Sequence, residues 1–282
     1  MKIGFIGLGT LGREIAKRLK DSGFELLVWN RTIDKAIELG FDAVKSPREL
    51  ADLVDVIFVI VFDSKASKEI IFGKEGLLGG SIKGKTIVDM TTNEVDYVIE
   101  TGRGLKYVGV TYLDAPILGS VIPAREGKLT LLVGGDKEKF NELYPVFQKF
   151  AKTIIHVGDI GNATKLKLVN NVVLGGFMEV LAEAVAFGEK VGINRELVLE
   201  VLANGAGKSM ILDVKREKLI KEDFETHFSV DLIYKDLYYA EKLAYENKGI
   251  LPAIGLIKEL YALCKKEGWG NLDFSAVYKL FR

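Results

Sequence analysis

Lys2-Ile-Gly-Phe-Ile6-Gly7-Leu8-Gly9-Thr10-Leu11-Gly12-Arg-Glu-Ile-Ala-Lys-Arg-Leu-Lys20 decides the reading of this chain. Lys2–Ile6 has the length and apolar character of a short buried strand, and Arg13–Lys20 has the apolar spacing of a helix. Between them stands Gly7-x-Gly9-x-x-Gly12, and each glycine has its own task in a turn that holds a dinucleotide. Gly7 permits the tight strand-to-helix turn, Gly9 leaves room for a pyrophosphate, and Gly12 lets helix and strand pack closely. The backbone of Leu8, Thr10 and Leu11 completes the turn, and the helix N-terminus offers its N–H groups and positive dipole end to the phosphates. A glycine-rich turn with a purely structural role is the alternative. The placement, directly after an N-terminal strand and opening an amphipathic helix, favours cofactor binding.

The end of the next strand bears on the type of cofactor. Glu25–Trp29 reads as that strand, and Asn30-Arg31-Thr32 follows it. An acid at this place accepts hydrogen bonds from ribose hydroxyls and repels the extra phosphate of NADP. Here there is none. Arg31 can pair with a 2′-phosphate and cover an adenine face, with neutral hydrogen bonds from Asn30 and Thr32, so NADP is expected over NAD. Ligands lie beyond the carboxyl ends of parallel strands. Val61-Phe62-Asp63 and Asp89-Met90-Thr91-Thr92 are therefore expected at the cofactor, with Val61, Phe62 and Thr92 as candidates.

Further outward, strand and helix signals alternate. Val54–Phe62 and Thr86–Asp89 read as central strands, and Lys106–Val110, Tyr112–Asp114, Lys128–Val133 and Thr153–Val157 as additional ones. Helices are expected over Thr32–Leu39 with Thr32 as cap, over Asn93–Thr101, and over Asp136–Phe150 with a break at Pro145. Such alternation implies an open, mostly parallel sheet, an α/β domain of the Rossmann-type doubly wound kind. From Asn162 to about Val191 the chain reads as one long helix. Only helical signals follow: Arg195–Ala203, Leu212–Lys221, Ser229–Asn247, Ala253–Glu267 and Asp273–Phe281. The expected organisation is a cofactor domain over 1–160 and an all-α domain over 161–282 that opens with the long interdomain helix, serving substrate binding and oligomerisation.

Composition narrows the function. The chain has 282 residues with 39 Lys+Arg and 39 Asp+Glu, a zero net charge that argues against nucleic acid as partner. One cysteine, Cys264, excludes an internal disulfide, and with two distant histidines, His156 and His227, no metal site is expected. The first strand occupies the place of a signal peptide, and the apolar stretch Val169–Phe187 is interrupted by Asn170, Asn171, Glu179 and Glu183. A cytoplasmic protein without a membrane span is expected.

Scarce histidine makes lysine the natural acid–base group. Gly161-Asn-Ala-Thr-Lys165-Leu-Lys167-Leu-Val-Asn170-Asn171 opens the long helix and offers two. Lys167 and Asn171 share a helix face, four residues apart, while Lys165 points elsewhere; Leu174 and Gly175 follow on the Lys167 face as a small apolar wall. Spacing alone leaves open whether both lysines are ordinary surface residues.

The chain resembles the β-hydroxyacid dehydrogenase family almost end to end. The matching segments are Gly7–Gly12, Asp114-Ala-Pro-Ile-Leu-Gly119-Ser120 continuing through Pro123-Ala124 and Gly127-Lys-Leu129 to Val133-Gly-Gly135, Gly161–Asn171, Lys235-Asp236 and Leu272–Val277. The resemblance implies that Lys167 is the catalytic acid/base and that Asn171 orients the substrate. Lys235 would reach the nicotinamide end of the cofactor, and Asp236 would support Lys167 or Lys235. Leu118, Gly119 and Ser120 would line the substrate carboxylate. It implies a homodimer or homotetramer and a small carboxylated aldehyde or β-hydroxyacid as substrate, such as glyoxylate or succinic semialdehyde. One departure stands out: Leu118 occupies the place of a family serine and cannot donate a hydrogen bond. Imine reduction and a non-catalytic NADP-binding or chromatin-associated module are the rival readings; Lys167 counts against the first, and intact Lys167, Asn171 and Lys235, with no basic or reader extension expected, against the second.

Overall fold

The central apolar runs in the first part of the chain form a parallel sheet whose inner strands are buried on both faces. A computed structural model describes residues 1–282. Its six-stranded sheet has the order β3-β2-β1-β4-β5-β6, with β1 Lys2–Ile6, β2 Glu25–Trp29, β3 Asp42–Ala43, β4 Val56–Val59, β5 Thr86–Asp89 and β6 Thr111–Asp114. All five pairings are parallel. The two faces are legible in β4. Val56 and Phe58 join a core with Ile3, Phe5, Ile15, Leu19, Phe147 and Phe150, whereas Ile57 and Val59 join another with Ile6, Leu50, Ile70 and Val98. Period-two alternation with both faces covered explains the continuous apolar run. The strand proper is shorter than Val54–Phe62, since the residues on either side turn away from the ladder.

Helices α1 (Gly12–Asp21), α2 (Ile33–Glu38), α3 (Pro47–Leu53), α4 (Ser64–Phe72) and α5 (Val95–Tyr107) connect these strands. Strand order reverses between β1 and β4, the position where open α/β sheets leave a crevice beyond their carboxyl ends.

Three expectations require correction here. The later strands do not extend the main sheet. β7 (Ile117–Leu118), β8 (Leu129–Val133) and β9 (Ala151–His156) form a separate three-stranded sheet, antiparallel between β7 and β8 and parallel between β8 and β9. Pro116 has no N–H to continue a ladder after β6, and its carbonyl accepts instead from Leu132. Lys106–Val110 is not a strand. Lys106 and Tyr107 end α5, which closes at Gly109 (φ +76°) with the Val110 N–H on the Leu105 carbonyl. Gly102 and Gly104 lower the helix propensity there, but Gly102 packs against Ile160, whose terminal methyl a Cβ would approach to 2.6 Å. Thr32 occupies the N-cap position of α2 without a side-chain capping bond. α6 (Val121–Glu126) and α7 (Lys137–Phe147) complete this part, and α7 runs on past Pro145 for two residues.

Packing separates the chain into Met1–Lys167 and Leu168–Arg282. The division falls inside α8 (Asn162–Lys190), after its first turns. The second unit is helical throughout: the rest of α8, α9 (Arg195–Asn204), α10 (Met210–Lys221), α11 (Val230–Glu246), α12 (Pro252–Lys266) and a 3₁₀ segment, Phe274–Leu280, where an α-helix was expected. Its core joins Met178, Val185, Leu199, Leu212, Ile233, Leu237, Tyr261 and Phe274. Cys264 sits in that core, and burial pushes its thiol up to about 12, which leaves it inert. By length and composition α8 is apolar enough to cross a membrane, and 44% of its most apolar window is buried within the protein.

The 3₁₀ segment is anchored by a buried ion pair. Lys215 Nζ lies 2.8 Å from both carboxylate oxygens of Asp273, which also accept from the N–H groups of His227, Phe228 and Ser275 and from the Ser275 hydroxyl. Burial opposes both charges, but the pairing and these donors hold the Asp273 carboxyl below its usual range. Asp273→Ala strands the Lys215 ammonium and is expected to cost about 3–5 kcal/mol in urea unfolding; a loss below about 1 kcal/mol would contradict the anchoring role.

Candidate active site

The in-register strands set their carboxyl ends side by side. Trp29 pairs with Ile6, Ile6 with Val59, Val59 with Asp89, and Asp89 with Asp114. The loops after these residues carry the sequence-predicted cofactor and substrate segments. Gly7–Gly12 follows Ile6, Asn30–Thr32 follows Trp29, Val61–Phe62 follows Val59, Thr92 follows Asp89, and Leu118–Ser120 follows Asp114. The fold therefore gathers positions that lie more than a hundred residues apart in sequence along one edge.

The glycine turn divides its three positions by space. Gly7 has φ +98°, and a Cβ there would stand 2.0 Å from the Ile60 carbonyl oxygen. A Cβ at Gly12 would stand 2.1 Å from the Gly7 carbonyl oxygen. Around Gly9 nothing lies within 4 Å of a Cβ. Two glycines are thus needed for packing and the middle one faces open space, a cradle that fits a pyrophosphate over the first turn of α1. Leu8 is buried and can contribute only its backbone. Its N–H donates to Asn30 Oδ1 at 3.0 Å, while Asn30 Nδ2 donates to the Thr32 carbonyl at 2.9 Å. Asn30 therefore braces the turn against the end of β2, a role the sequence did not suggest. Arg31 and Thr32 are exposed beside it.

Beyond β4 and β5, the Val61 N–H donates to Thr91 Oγ1 at 3.1 Å, and Phe62 is about half exposed. Asp89 holds this region together and was not singled out from sequence. It is fully buried and accepts from Ser67 Oγ (2.7 Å), the Thr91 N–H (3.0 Å), Asn93 Nδ2 (3.0 Å) and Tyr112 OH (3.0 Å). Burial raises its pKa despite these donors. Its only sequence signal is an acid closing an apolar strand. His156 has a structural bond to the Gly135 carbonyl (2.8 Å).

In the substrate signature, Leu118 is half-buried in β7 opposite Thr130, and Gly119 is exposed at φ +119°. Ser120 stands at the N-cap of α6 with its hydroxyl not engaged in capping.

Along α8, burial separates the two lysines. Lys165 is exposed, Lys167 only 7% exposed, and Asn171 fully buried. Asn171 Nδ2 donates to Asp236 Oδ2 at 2.6 Å, and its Oδ1 accepts from Asn170 at 3.0 Å. Lys235 Nζ lies 2.9 Å from Asp236 Oδ1, off the hydrogen-bonding direction, and 4.9 Å from the centre of the Tyr239 ring. Gly175, expected as a wall, instead meets Leu237 and Ile233, which a Cβ would approach to 3.1 and 3.4 Å. That close approach of α11 to α8, one turn beyond Asn171, brings Asp236 within reach of the amide.

Two family models cover nearly the whole chain: the NAD binding domain of 6-phosphogluconate dehydrogenase over residues 2–158, and the NAD-binding domain of NADP-dependent 3-hydroxyisobutyrate dehydrogenase over 161–281. The chain belongs to the β-hydroxyacid dehydrogenase family. It is similar to the 2-hydroxy-3-oxopropionate reductase of Escherichia coli (strain K12), with 36% identity over 98% of this chain and 96% of that protein. It is also similar to the human cytokine-like nuclear factor N-PAC, with 33% identity over 99% of this chain but 51% of that protein. Among solved structures, Mycobacterium tuberculosis 3-hydroxyisobutyrate dehydrogenase with L-serine superposes with a TM-score of 0.87 at 25% identity, covering 100% and 99% of the two chains. This family member is an NAD(P)-dependent hydroxyacid oxidoreductase with a parallel-sheet cofactor domain and a helical second domain.

The glycine geometry makes a contrast that can be measured. Gly9→Ala is expected to leave stability within about 0.5 kcal/mol while weakening NADPH binding about tenfold or more. Gly7→Ala is expected to destabilise by at least about 1–3 kcal/mol through its left-handed backbone alone. Thermal unfolding and fluorescence titration of both variants check this; equal stability losses would remove the distinction.

Proposed function

We propose that this enzyme is an NADP-dependent reductase of small carboxylated aldehydes, forming the corresponding hydroxyacids, with Lys167 as the proton donor. The observation that carries the reading is a buried lysine, Lys167, one helical turn before an asparagine whose amide is fixed by Asp236. A lysine in this setting is presented by a rigid helix rather than waving in solvent, as Lys165 does. Bound NADPH supplies the hydride. Lys167 gives its proton to the carbonyl oxygen as charge develops there, and takes it back from the hydroxyl in the oxidative direction. Asn171 keeps one N–H and one lone pair beyond its bonds to Asp236 and Asn170 for orienting the substrate. Asp236, held between Asn171 and Lys235, fixes both, and Lys235 serves the nicotinamide end of the cofactor. Gly119 and Ser120 hold the substrate carboxylate through backbone N–H and hydroxyl, with Leu118 as an apolar wall in place of a donor.

Preference for NADP is supported by the absence of an acid after β2 and by the exposed Arg31 there. A small carboxylated aldehyde is supported by the similarity to a reductase of 2-hydroxy-3-oxopropionate. Assembly as a homodimer or homotetramer is supported by a stripe of exposed apolar residues along α8, Leu166, Val169, Val173, Phe177, Val180 and Phe187, at helical spacing.

Purified protein is to be assayed for NADPH consumption with glyoxylate, succinic semialdehyde, 2-hydroxy-3-oxopropionate and a cyclic imine. Turnover of a carboxylated aldehyde is expected, with Lys167→Ala lowering kcat about 10²–10⁴-fold at unchanged NADPH affinity. A Lys167→Ala enzyme that keeps most of its turnover reassigns the acid, and turnover of the imine alone reassigns the reaction. Arg31→Ala is expected to shift the NADP-to-NAD ratio of kcat/KM toward NAD about tenfold or more, the loss of one charge-assisted contact. A wild-type preference for NAD would overturn the cofactor assignment.

A further inference from the structure

Asp114 closes β6 and is buried, and its backbone is bridged in both directions to Gly134, with its N–H on the Gly134 carbonyl (3.0 Å) and its carbonyl accepting from the Gly134 N–H (2.8 Å). The carboxylate reaches the start of α8. Oδ2 accepts from the N–H groups of Gly161 and Thr164, each at 3.0 Å, and Oδ1 accepts from the Thr164 hydroxyl at 2.6 Å. These donors belong to the first turn of the helix, where no preceding carbonyl is available to them. Gly161 has φ +94°, and a Cβ there would lie 2.9 Å from Ile99, so the entry to the helix leaves no space for a side chain at this position. Thr164 is fully buried. Lys167 follows three residues later, on the next turn of the same face.

The charge on Asp114 is not needed to make these bonds. An asparagine could accept both N–H groups with its Oδ1 and donate from Nδ2 to Thr164 Oγ1, since a hydroxyl accepts as well as donates. Burial, with the Asp89 carboxylate in the adjacent register position, raises the Asp114 carboxyl to about 6 against the opposing hydrogen bonds from Thr164 and Gly161. The feature that the geometry preserves is the clamp itself, between the strand end and the helix start.

We propose that Asp114 is a positioning residue for catalysis: it fixes the first turn of α8 on the end of β6 and so sets where Lys167 stands relative to Leu118–Ser120, the segment that leaves the same strand end. The proposal rests on Lys167 being the proton donor. Asp114 touches neither substrate nor cofactor in this role; it acts through the backbone of Gly161 and Thr164.

The test compares Asp114→Ala, Asp114→Asn, Thr164→Val and Lys167→Ala in the full-length enzyme. The readouts are NADPH Kd by fluorescence, and kcat and KM for the best aldehyde of the panel. Asp114→Ala is expected to lower kcat about 10²-fold, the scale of a misplacement near 1 Å, with NADPH Kd within about threefold of wild type, a change below about 0.7 kcal/mol. Asp114→Asn is expected to recover most of the lost kcat, and Thr164→Val to lie between. An Asp114→Ala enzyme that keeps kcat within threefold of wild type overturns the proposal, as does an asparagine variant no better than alanine. Should Asp114→Ala fail to fold and bind NADPH, Thr164→Val decides: lowered kcat with intact NADPH binding supports the clamp, unchanged kcat refutes it. Lys167→Ala separates the two levels. If it retains turnover, the proton-donor reading fails and the clamp loses its object; if it abolishes turnover while Asp114→Ala does not, the clamp alone fails.

Discussion

A strand and a helix can come as close as β1 and α1 only where no side chain stands between them. Gly7 and Gly12 meet that constraint, one against the Ile60 carbonyl and the other against the Gly7 carbonyl. The tight turn places the first N–H groups of α1 beside the point where strand order reverses, and it leaves Gly9 over open space. Because the neighbouring strands are parallel and in register, the loops that follow β2, β4, β5 and β6 leave their strands at the same edge. Proximity of the turn, the Asn30 brace, the Thr91 contact and the substrate signature follows from that single arrangement.

Four buried carboxylates join segments of the chain, three of them at element ends and one within a helix. Asp89 and Asp114 close β5 and β6, Asp273 precedes the final 3₁₀ segment, and Asp236 lies where α11 approaches α8. Strand and helix termini expose backbone N–H groups that have no partner within their own element, and a carboxylate in ionised form satisfies several at once. Asp114 and Asp273 do this directly, Asp89 mostly through side-chain donors. Each is dehydrated at a cost, and each ties together segments remote in sequence. The buried carboxylates are therefore the stitching of the loops and helix starts, while the apolar residues make the layers.

Particular residues mark how much was legible beforehand. The strands at Lys2–Ile6, Glu25–Trp29 and Thr86–Asp89 and the long helix from Asn162 could be read directly, because burial on two faces or along one stripe leaves a periodic trace. The end of α5 was misread as a strand because its glycines argue against a helix locally, and packing against Ile160 overrides that preference. The second sheet was missed since a strand does not record which strand it pairs with. Asp89 and the bracing role of Asn30 had no local signal beyond a polar residue at a strand end. Gly175 was read as a wall because spacing shows which residues share a face, not what that face meets.

The amino-acid sequence by itself determined the class of fold, the glycine turn, the central strands, the long helix and the family, since these depend on local periodicity and on residue types required by short-range sterics. Only the tertiary structure decided which of Lys165 and Lys167 is buried, that Asp236 grips Asn171, and that Asp114 holds the start of the helix bearing Lys167. Those contacts join residues 47 to 65 positions apart. Their geometry comes from strand register and helix packing, which no local pattern of side chains encodes.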